Sequence, residues 1–425
     1  MNEMTDAEYK EDDFVFSEDD TDVESEDEDD ENDLSEETIT YPKNFVFEPD
    51  DFETYEEYLD HVGVSSISTM SLLRTAVPTK NVLWRNKIQF VTKDDKRATG
   101  ISKAIQNYCI DGNTIYTLQG RKGRKKHVVI RKGTYDSNSK VLKVKQKYYT
   151  LKNFAHGQTF EQFHVNDKSS FILEGNASTM WGNQLILLDY ETITKKAVNK
   201  EFIFKSEYGK RLKDFAYANK AGKLFSNKGL KRVHAALSTD KKYLAIWCQS
   251  NDNEKIQVSV YDFKKIKKYL YGIGKGNKEH KYFSFRENKA KAKDFCVFSY
   301  ICDKANNAYL KPADSFQSMD ISNEFESGGK WYLYLCGGNE AKNKANGLQI
   351  TRVTINKDEK KIQNEKKIKV NPTVKKGGKI VGLGGYREIE GCHINKSKLD
   401  FLITKSNTTD KNPQYIYTIK KSVFN

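Results

Sequence analysis

One short pattern returns five times along the chain. Ile105-Gln106-Asn107-Tyr108-Cys109-Ile110, Phe160-Glu161-Gln162-Phe163-His164-Val165, Val233-His234-Ala235-Ala236-Leu237-Ser238, Phe316-Gln317-Ser318-Met319-Asp320-Ile321 and Ile389-Glu390-Gly391-Cys392-His393-Ile394 share one register. A polar turn follows each: Asp111-Gly112-Asn113, Asn166-Asp167-Lys168, Thr239-Asp240-Lys241, a longer stretch at 323–330, and 395–398. An apolar, strand-like run comes next, at 114–118, 170–173, 243–247, 331–335 and 399–403, and then a further strand at 127–131, 184–189, 256–262, 348–355 and 414–420. The starts lie 55, 73, 83 and 73 residues apart, so the extra length falls in connections. Units of this kind bury their faces only against neighbours, and radial repetition closes such an antiparallel array. The sequence therefore predicts an all-β body over 80–425, a five-bladed β-propeller. Residues 82–93 (VLWRNKIQFVTK) would supply the strand that closes the ring against the last blade. A β-sandwich or a solenoid is the competing architecture.

Charge divides the chain at the edge of that body. The net charge of +12 conceals 27 Asp and Glu against only Lys10 and Lys43 in residues 1–62, a balance of −25. The other 363 residues hold 69 bases and 32 acids, or +37. Residues 1–49 are too acidic and too poor in apolar side chains to offset their ordering entropy, and are predicted to be a disordered tail. Residues 50–79 read as a short amphipathic helix and a linker. Phe52, Tyr55, Leu59 and Val62 recur at helical spacing, with Asp50 or Asp51 as cap. Such a helix docks on the body or forms only transiently.

Several function classes lose support from what the chain lacks. The opening MNEMTDAEYKEDDF has no basic n-region or apolar h-region, so no secretory signal peptide is expected. No apolar run approaches the roughly 18 residues of a membrane span. Six cysteines in 425 residues do not make a disulfide framework, and only Cys296 and Cys302 lie close together, so buried free thiols are expected and no metal site. The seven histidines form no HExxH or HxH signature, and GxSxG is absent. The glycine-rich stretches 272–276 and 382–385 fit neither a dinucleotide-binding fingerprint nor a phosphate-binding loop. No cofactor is implied.

The second column of the repeat is polar throughout: Gln106, Glu161, His234, Gln317 and Glu390. On the inner strands of a propeller these residues are expected to line the central channel, either as a hydrated plug or as a ring that holds a cation, water or a sugar hydroxyl. Glu161 and Glu390 are the weak candidates for acid–base work. Glu388 and Glu390 share a strand face, but glycoside hydrolysis needs a set separation of its carboxyls.

Two basic segments point to a polyanion. One is Arg121-Lys122-Gly123-Arg124-Lys125-Lys126; the other is Lys264-Lys265-Ile266-Lys267-Lys268, flanked by Phe263, Tyr269 and Tyr271. Lysine supplies 60 of the 71 bases, and compact ammonium groups suit diffuse attraction better than bidentate reading. Nucleic acid is one candidate partner, and anionic cell-envelope polymers and lipid headgroups are another.

A set of motifs narrows these alternatives. His156-Gly157-Gln158-Thr159-Phe160-Glu161 resembles the His-Thr-Gln-Thr-Trp-Glu stretch of the helveticin J family of large bacteriocins. Tyr217-Ala218-Asn219-Lys220-Ala221-Gly222 resembles that family's Tyr-Leu-Asn-Arg-Ala-Gly. Ala235-Ala236-Leu237-Ser238-Thr239-Asp240, followed by Val258-Ser259-Val260-Tyr261-Asp262, is similar to its Ala-Ala-Val-Ser-Pro-Asp and Phe-x-Ile-Tyr-Asn. Phe316-Gln317-Ser318-Met319-Asp320 and Glu388-Ile389-Glu390 are similar to its Ile-Gln-Gly-Tyr-Asp and Glu-Val-Glu. The order is kept over about 155–420. The family has an acid at the place of His234 and a His at that of Arg232, and its pattern has no acidic tail. The resemblance implies a secreted antibacterial protein, cytoplasmic before release, that binds anionic polymers or a surface glycan of the target cell envelope, most simply as a monomer. It carries over no catalytic residues. A cell-wall glycan hydrolase and a non-catalytic intracellular or nucleic-acid-binding propeller are the alternatives.

Overall fold

The computed structural model describes residues 82–90, 101–121, 124–134, 141–177, 181–303, 310, 316–324, 329–338, 348–370, 373–376, 379–382, 387–395, 397–405 and 414–424. The acidic tail at 1–49 and the helix expected at 50–62 lie outside them.

The turns that separate the predicted strands are built as their residues require. Gly112 (φ +55°) sits in the two-residue connection between β2 (Ile101–Asp111) and β3 (Thr114–Arg121), where Asp111 pairs with Thr114. Asn166 and Asp167 both take positive φ between β6 (Phe160–Val165) and β7 (Lys168–Gly175), the demand of a tight hairpin that Asn and Asp meet at low cost.

The strands form five antiparallel blades. The first is β2–β3–β4–β5, with β4 at Arg124–Thr134 and β5 at Val141–Lys152. The second is β6–β7–β8–β10, with β8 at Gln184–Asp189 and β10 at Lys210–Lys213. Its outer edge gains β14 (Tyr282–Ser284), which pairs parallel with β10 from within a later insertion. The short β9 (Glu201–Ile203) pairs with β5. The third blade is β11–β12–β13–β15 (Leu230–Leu237, Tyr243–Ser250, Lys255–Asp262, Cys296–Asp303). The fourth is β16–β17–β18–β19 (Phe316–Ile321, Lys330–Gly337, Leu348–Asn356, Lys361–Val370). A separate ribbon, β20–β21 (Thr373–Lys376, Lys379–Gly382), precedes the fifth, β22–β23–β24 (Arg387–Asn395, Lys398–Lys405, Gln414–Lys420).

The fifth blade takes its fourth strand from the other end of the chain. β1 (Val82–Phe90) runs antiparallel to β24, with Arg85 opposite Tyr417 and Lys87 opposite Tyr415. Its other edge pairs parallel with β5, so one strand joins the first and last blades. The expected closing strand is thus present.

Five apolar cores fill the five gaps, because alternate residues of each strand enter opposite gaps. On β12, Leu244, Ile246 and Cys248 pack toward the second blade, while Ala245 and Trp247 pack toward the fourth. On β17, Trp331, Leu333 and Leu335 face one neighbour and Tyr334 and Cys336 the other. On β3, Ile115 packs against Leu402 and Ile416 of the last blade, whereas Tyr116 and Leu118 pack against Phe160 and Phe171. Burial on both faces is why these strands read as continuous apolar runs. All six cysteines are buried free thiols.

The long repeat intervals from the second and third blades come from insertions that carry short helices, α1 (Tyr190–Lys196) in the second blade and α2 (Phe263–Tyr271) and α3 (Lys289–Phe295) in the third, and that of the fourth carries the β20–β21 ribbon. The side chains of Asp189 and Asp262 cap the first two by accepting from the backbone N–H of Thr192 and Lys265.

Candidate functional site

The inner strands β2, β6, β11, β16 and β22 stand side by side around the axis and run in the same direction. We call the face where they begin the top and the face where they end the bottom. Each inner strand exposes one unpaired edge, whose N–H groups need acceptors. Side chains of the preceding blade supply them. Thr159 Oγ1 accepts from the N–H of Ala235 at 3.1 Å, and the Glu161 carboxylate from that of Leu237. Two blades on, Ser318 Oγ accepts from Cys392 N–H at 3.3 Å and Asp320 from Ile394 N–H. Asn107 Nδ2 donates to the carbonyl of Gln158 at 2.6 Å, and its Oδ1 lies 3.0 Å from His393 Nε2. Gly391 makes room there, since a Cβ would stand 2.7 Å from Asn107 Oδ1.

The five residues of the polar column are all buried at the axis, but they find different partners. Gln106 Nε2 donates to Glu390 Oε1 at 3.3 Å, and Thr404 Oγ1 shares that acceptor at the same distance. Gln317 bridges Gln158 and Glu388. His234 Nδ1 lies 2.7 Å from Glu174 Oε1, which also accepts from Thr159 Oγ1 at 2.8 Å. Glu161 stands apart from the other four, with Lys241 and His393 each 4.0 Å away and Asp320 close enough to couple electrostatically. Bulges set three of the five apart. Pairing skips a residue at Gln106 and at Gln317, and two at Glu390 and Gly391, whereas β6 and β11 pair without interruption through Glu161 and His234.

Burial pushes the Glu161 and Glu390 carboxyls well above the usual range; Asp320 adds to the first and Glu388 to the second. Burial lifts Asp320 to about 7 and drives His393 down to about 4. Among the described residues, no three His, Cys, Asp or Glu are placed to hold a metal ion.

The basic segments lie on opposite faces. Arg121 and Arg124 pair at the β3–β4 turn, which opens on the top; Lys126 beside them is exposed. Lys122, and the side chains of Arg121, Arg124 and Lys125, lie outside the described residues. Lys264, Lys265, Lys267 and Lys268 belong to α2, which follows the third strand of its blade on the bottom. There Phe263, Ile266 and Leu270 face the core, and Lys264 and Lys268 are exposed. Lys265 pairs with Asp294 at 3.0 Å, and the Lys267 ammonium lies 5.4 Å from the Phe263 ring centroid.

The top mouth of the axis holds a cluster that the repeat pattern did not single out. The Arg232 guanidinium lies 4.4 Å from the Trp181 ring centroid, 5.0 Å from that of Trp247 and 5.4 Å from that of Phe316. Its Nε donates to Gln249 Oε1 at 3.1 Å and its Nη1 to the Phe316 carbonyl at 3.4 Å. Burial lowers its pKa to about 10. His156 and His234 flank Trp181 with ring centroids 6.2 and 6.3 Å away. Arg232 and His234, two apart on β11, and Trp247 and Gln249, two apart on β12, share one face of the blade. That spacing was the available signal.

Residues 93–422 match the family model described as bacteriocin helveticin-J. No curated protein matches the chain. Among solved structures, the tail fibre of a Staphylococcus aureus phage is similar at 11% identity and a TM-score of 0.41, over 84% of this chain and 56% of that one. An exo-β-1,3-galactanase from Phanerochaete chrysosporium is similar at 9% identity and a TM-score of 0.36, over 73% and 58%. Prolyl oligopeptidase B from Galerina marginata is similar at 12% identity and a TM-score of 0.30, over 75% and 34%. The chain thus spans little more than half the length of the first two.

Proposed function

The chain belongs to the helveticin J family, and from that membership we propose that it is an antibacterial protein that attaches to anionic polymers of the target cell envelope through its lysine-rich propeller. The observation that carries the reading is the match over residues 93–422, which takes in nearly the whole propeller. The +37 balance of residues 63–425 supports it, since a surface of hydrated ammonium groups attracts polyanions at long range and loses that attraction as salt rises. Glu161 and Glu390 are 4% and 3% exposed, and their carboxylates are engaged with Leu237 N–H and with Gln106 and Thr404. That burial supports a role in holding the axis rather than in cleaving a glycan. Release from the producing cell and action outside it belong to the same proposal.

The test is an inhibition-zone assay of the purified protein on related bacteria, with sedimentation of the protein on isolated cell walls at rising salt. Clear zones, and wall binding that falls steeply between 50 and 500 mM NaCl, are expected (about a Debye length of 13 Å shrinking to 4 Å). Binding to salmon-sperm DNA without binding to walls would favour the intracellular alternative and refute the proposal.

A further inference from the structure

We infer that the top mouth of the axis is a binding site for a neutral saccharide ring, read by Glu174, His234, Gln249 and Arg232 beneath the indole of Trp181. The inference deepens the envelope-binding reading and rests on it for the identity of the ligand's source.

Three polar atoms in the cluster are buried and without partners: His234 Nε2, Glu174 Oε2 and Gln249 Nε2. All three side chains are at least nine-tenths buried. Leaving each unmet costs about 1–3 kcal/mol, so the cluster is built for something that meets them. Their chemistry is mixed. With His234 Nδ1–H donated to Glu174 Oε1, Nε2 presents a lone pair, and Glu174 Oε2 is a second acceptor. Gln249 Nε2 is a donor, and Arg232 retains Nη2 after its bonds to Gln249 and Phe316. Burial lowers the pKa of His234 and so favours the neutral imidazole, against the pull of Glu174.

The formal charges are then one guanidinium and one carboxylate. A free anion would meet Glu174, and a free cation would meet Arg232. Vicinal hydroxyls, each donating and accepting, satisfy both halves of the set. The aromatic component fits the same ligand, since Trp181 is only partly buried at the mouth and adds the kind of apolar aromatic surface on which the C–H face of a sugar packs. The backbone holds that plane in position: Val233 N–H donates to the Gly182 carbonyl at 3.2 Å, which fastens the turn carrying Trp181 to β11. The Arg232 guanidinium packs against the indole, 4.4 Å from its centroid.

The experiment titrates the full-length protein with N-acetylglucosamine, its β-1,4 dimer and trimer, N-acetylgalactosamine, glucose, galactose and rhamnose in 0.5 M NaCl, by calorimetry and tryptophan fluorescence. At that salt, attraction to polyanions is screened. At least one sugar is expected to bind and to shift the fluorescence. Trp181→Ala and, separately, Gln249→Leu are expected to weaken that sugar at least tenfold. Poly(glycerol phosphate), titrated at 50 mM NaCl, reads the lysine surface and is expected to bind wild type and Trp181→Ala alike. Loss of polymer binding with sugar binding kept would sink the envelope reading and leave the mouth site standing. Failure of every sugar to bind wild type, or equal sugar affinity in a folded Trp181→Ala protein, would overturn the inference and assign the cluster to bound water.

Discussion

Replacing Glu161 by Gln should make the protein more stable at alkaline pH while changing little at acid pH. Glu161 and Asp320 are both buried at the bottom of the axis, with Lys241, Lys421 and His393 facing them. Burial lifts Asp320 from 3.8 to about 7. The folded protein therefore binds a proton that the unfolded chain has lost, so this group's contribution is full below pH 3.8 and is lost as pH rises through about 7. At 1.36 kcal/mol per pH unit the loss has an upper bound of about 4 kcal/mol, reached near pH 8. Glu161 is raised in the same direction, by burial first and by Asp320 second. A Gln at 161 keeps the oxygen that accepts from Leu237 N–H but removes the charge. Asp320 then ionises more easily, helped by the N–H groups of Ile321 and Ile394 and by Lys241. The expected result is a change within about 0.5 kcal/mol at pH 4 and a gain of about 1–3 kcal/mol at pH 8.5. Guanidinium unfolding at half-unit pH steps from 4 to 9 measures it. Because both proteins keep His393 and its opposite pH trend, the difference between them isolates the pair. Parallel curves across the whole range, or a loss at pH 8.5, would refute the coupling.

Three further outcomes follow from the same geometry. Removing residues 1–91 takes away the strand that lies between β24 and β5, so the truncated chain should lose cooperative unfolding, and a peptide of residues 80–93 added in trans should restore it; analytical ultracentrifugation and thermal denaturation report both. Removing only residues 1–42, which carry 20 acids and one base, should leave the melting temperature within about 2 °C and raise affinity for poly(glycerol phosphate) most at low salt. Unchanged binding would take the tail out of the mechanism. Reversing Lys264 and Lys268 to Glu changes the bottom face alone and should weaken polymer binding without altering sugar binding at the top, as read by the same titrations.

Much of the architecture is legible because its determinants are local. Gly112 and the pair Asn166-Asp167 mark hairpins whose backbone demands positive φ, and two-sided burial leaves apolar runs such as 243–248 that announce strands covered on both faces. What escapes is whatever depends on a neighbour. A one-residue bulge at Gln106 or Gln317 leaves no mark in a repeat alignment, yet it decides which way a side chain points. The column that set Glu161 beside Gln317 therefore missed its structural counterpart. Thr159-x-Glu161 and Ser318-x-Asp320 are the matching pairs, each capping two N–H groups of the next blade. The helices escaped for a different reason, since α1 to α3 are seven to nine residues long and too short to show a period. β14 escaped because it serves the second blade from an insertion in the third. Glu174 was hidden at the end of an apolar run, and only the fold shows it meeting His234.

The capping of inner edges bears on where recognition is found. Thr159, Glu161, Ser318 and Asp320 are committed to backbone N–H groups, so the polarity of the lower axis is explained by the sheets themselves and needs no ligand. The top mouth differs, because its unpartnered atoms sit on side chains whose removal would leave every strand N–H as well paired as before. It also shares its face with the turn that carries Arg121 and Arg124, while the lysines of α2 face the other way. A flat anionic surface meets only one of these faces at a time. A flexible, thread-like polyanion can wrap from one to the other, holding the propeller by diffuse attraction at both faces while the top mouth remains available to a neutral sugar. On the proposed reading, charge would govern how long the protein stays on an envelope, and the mouth would govern which envelope it is.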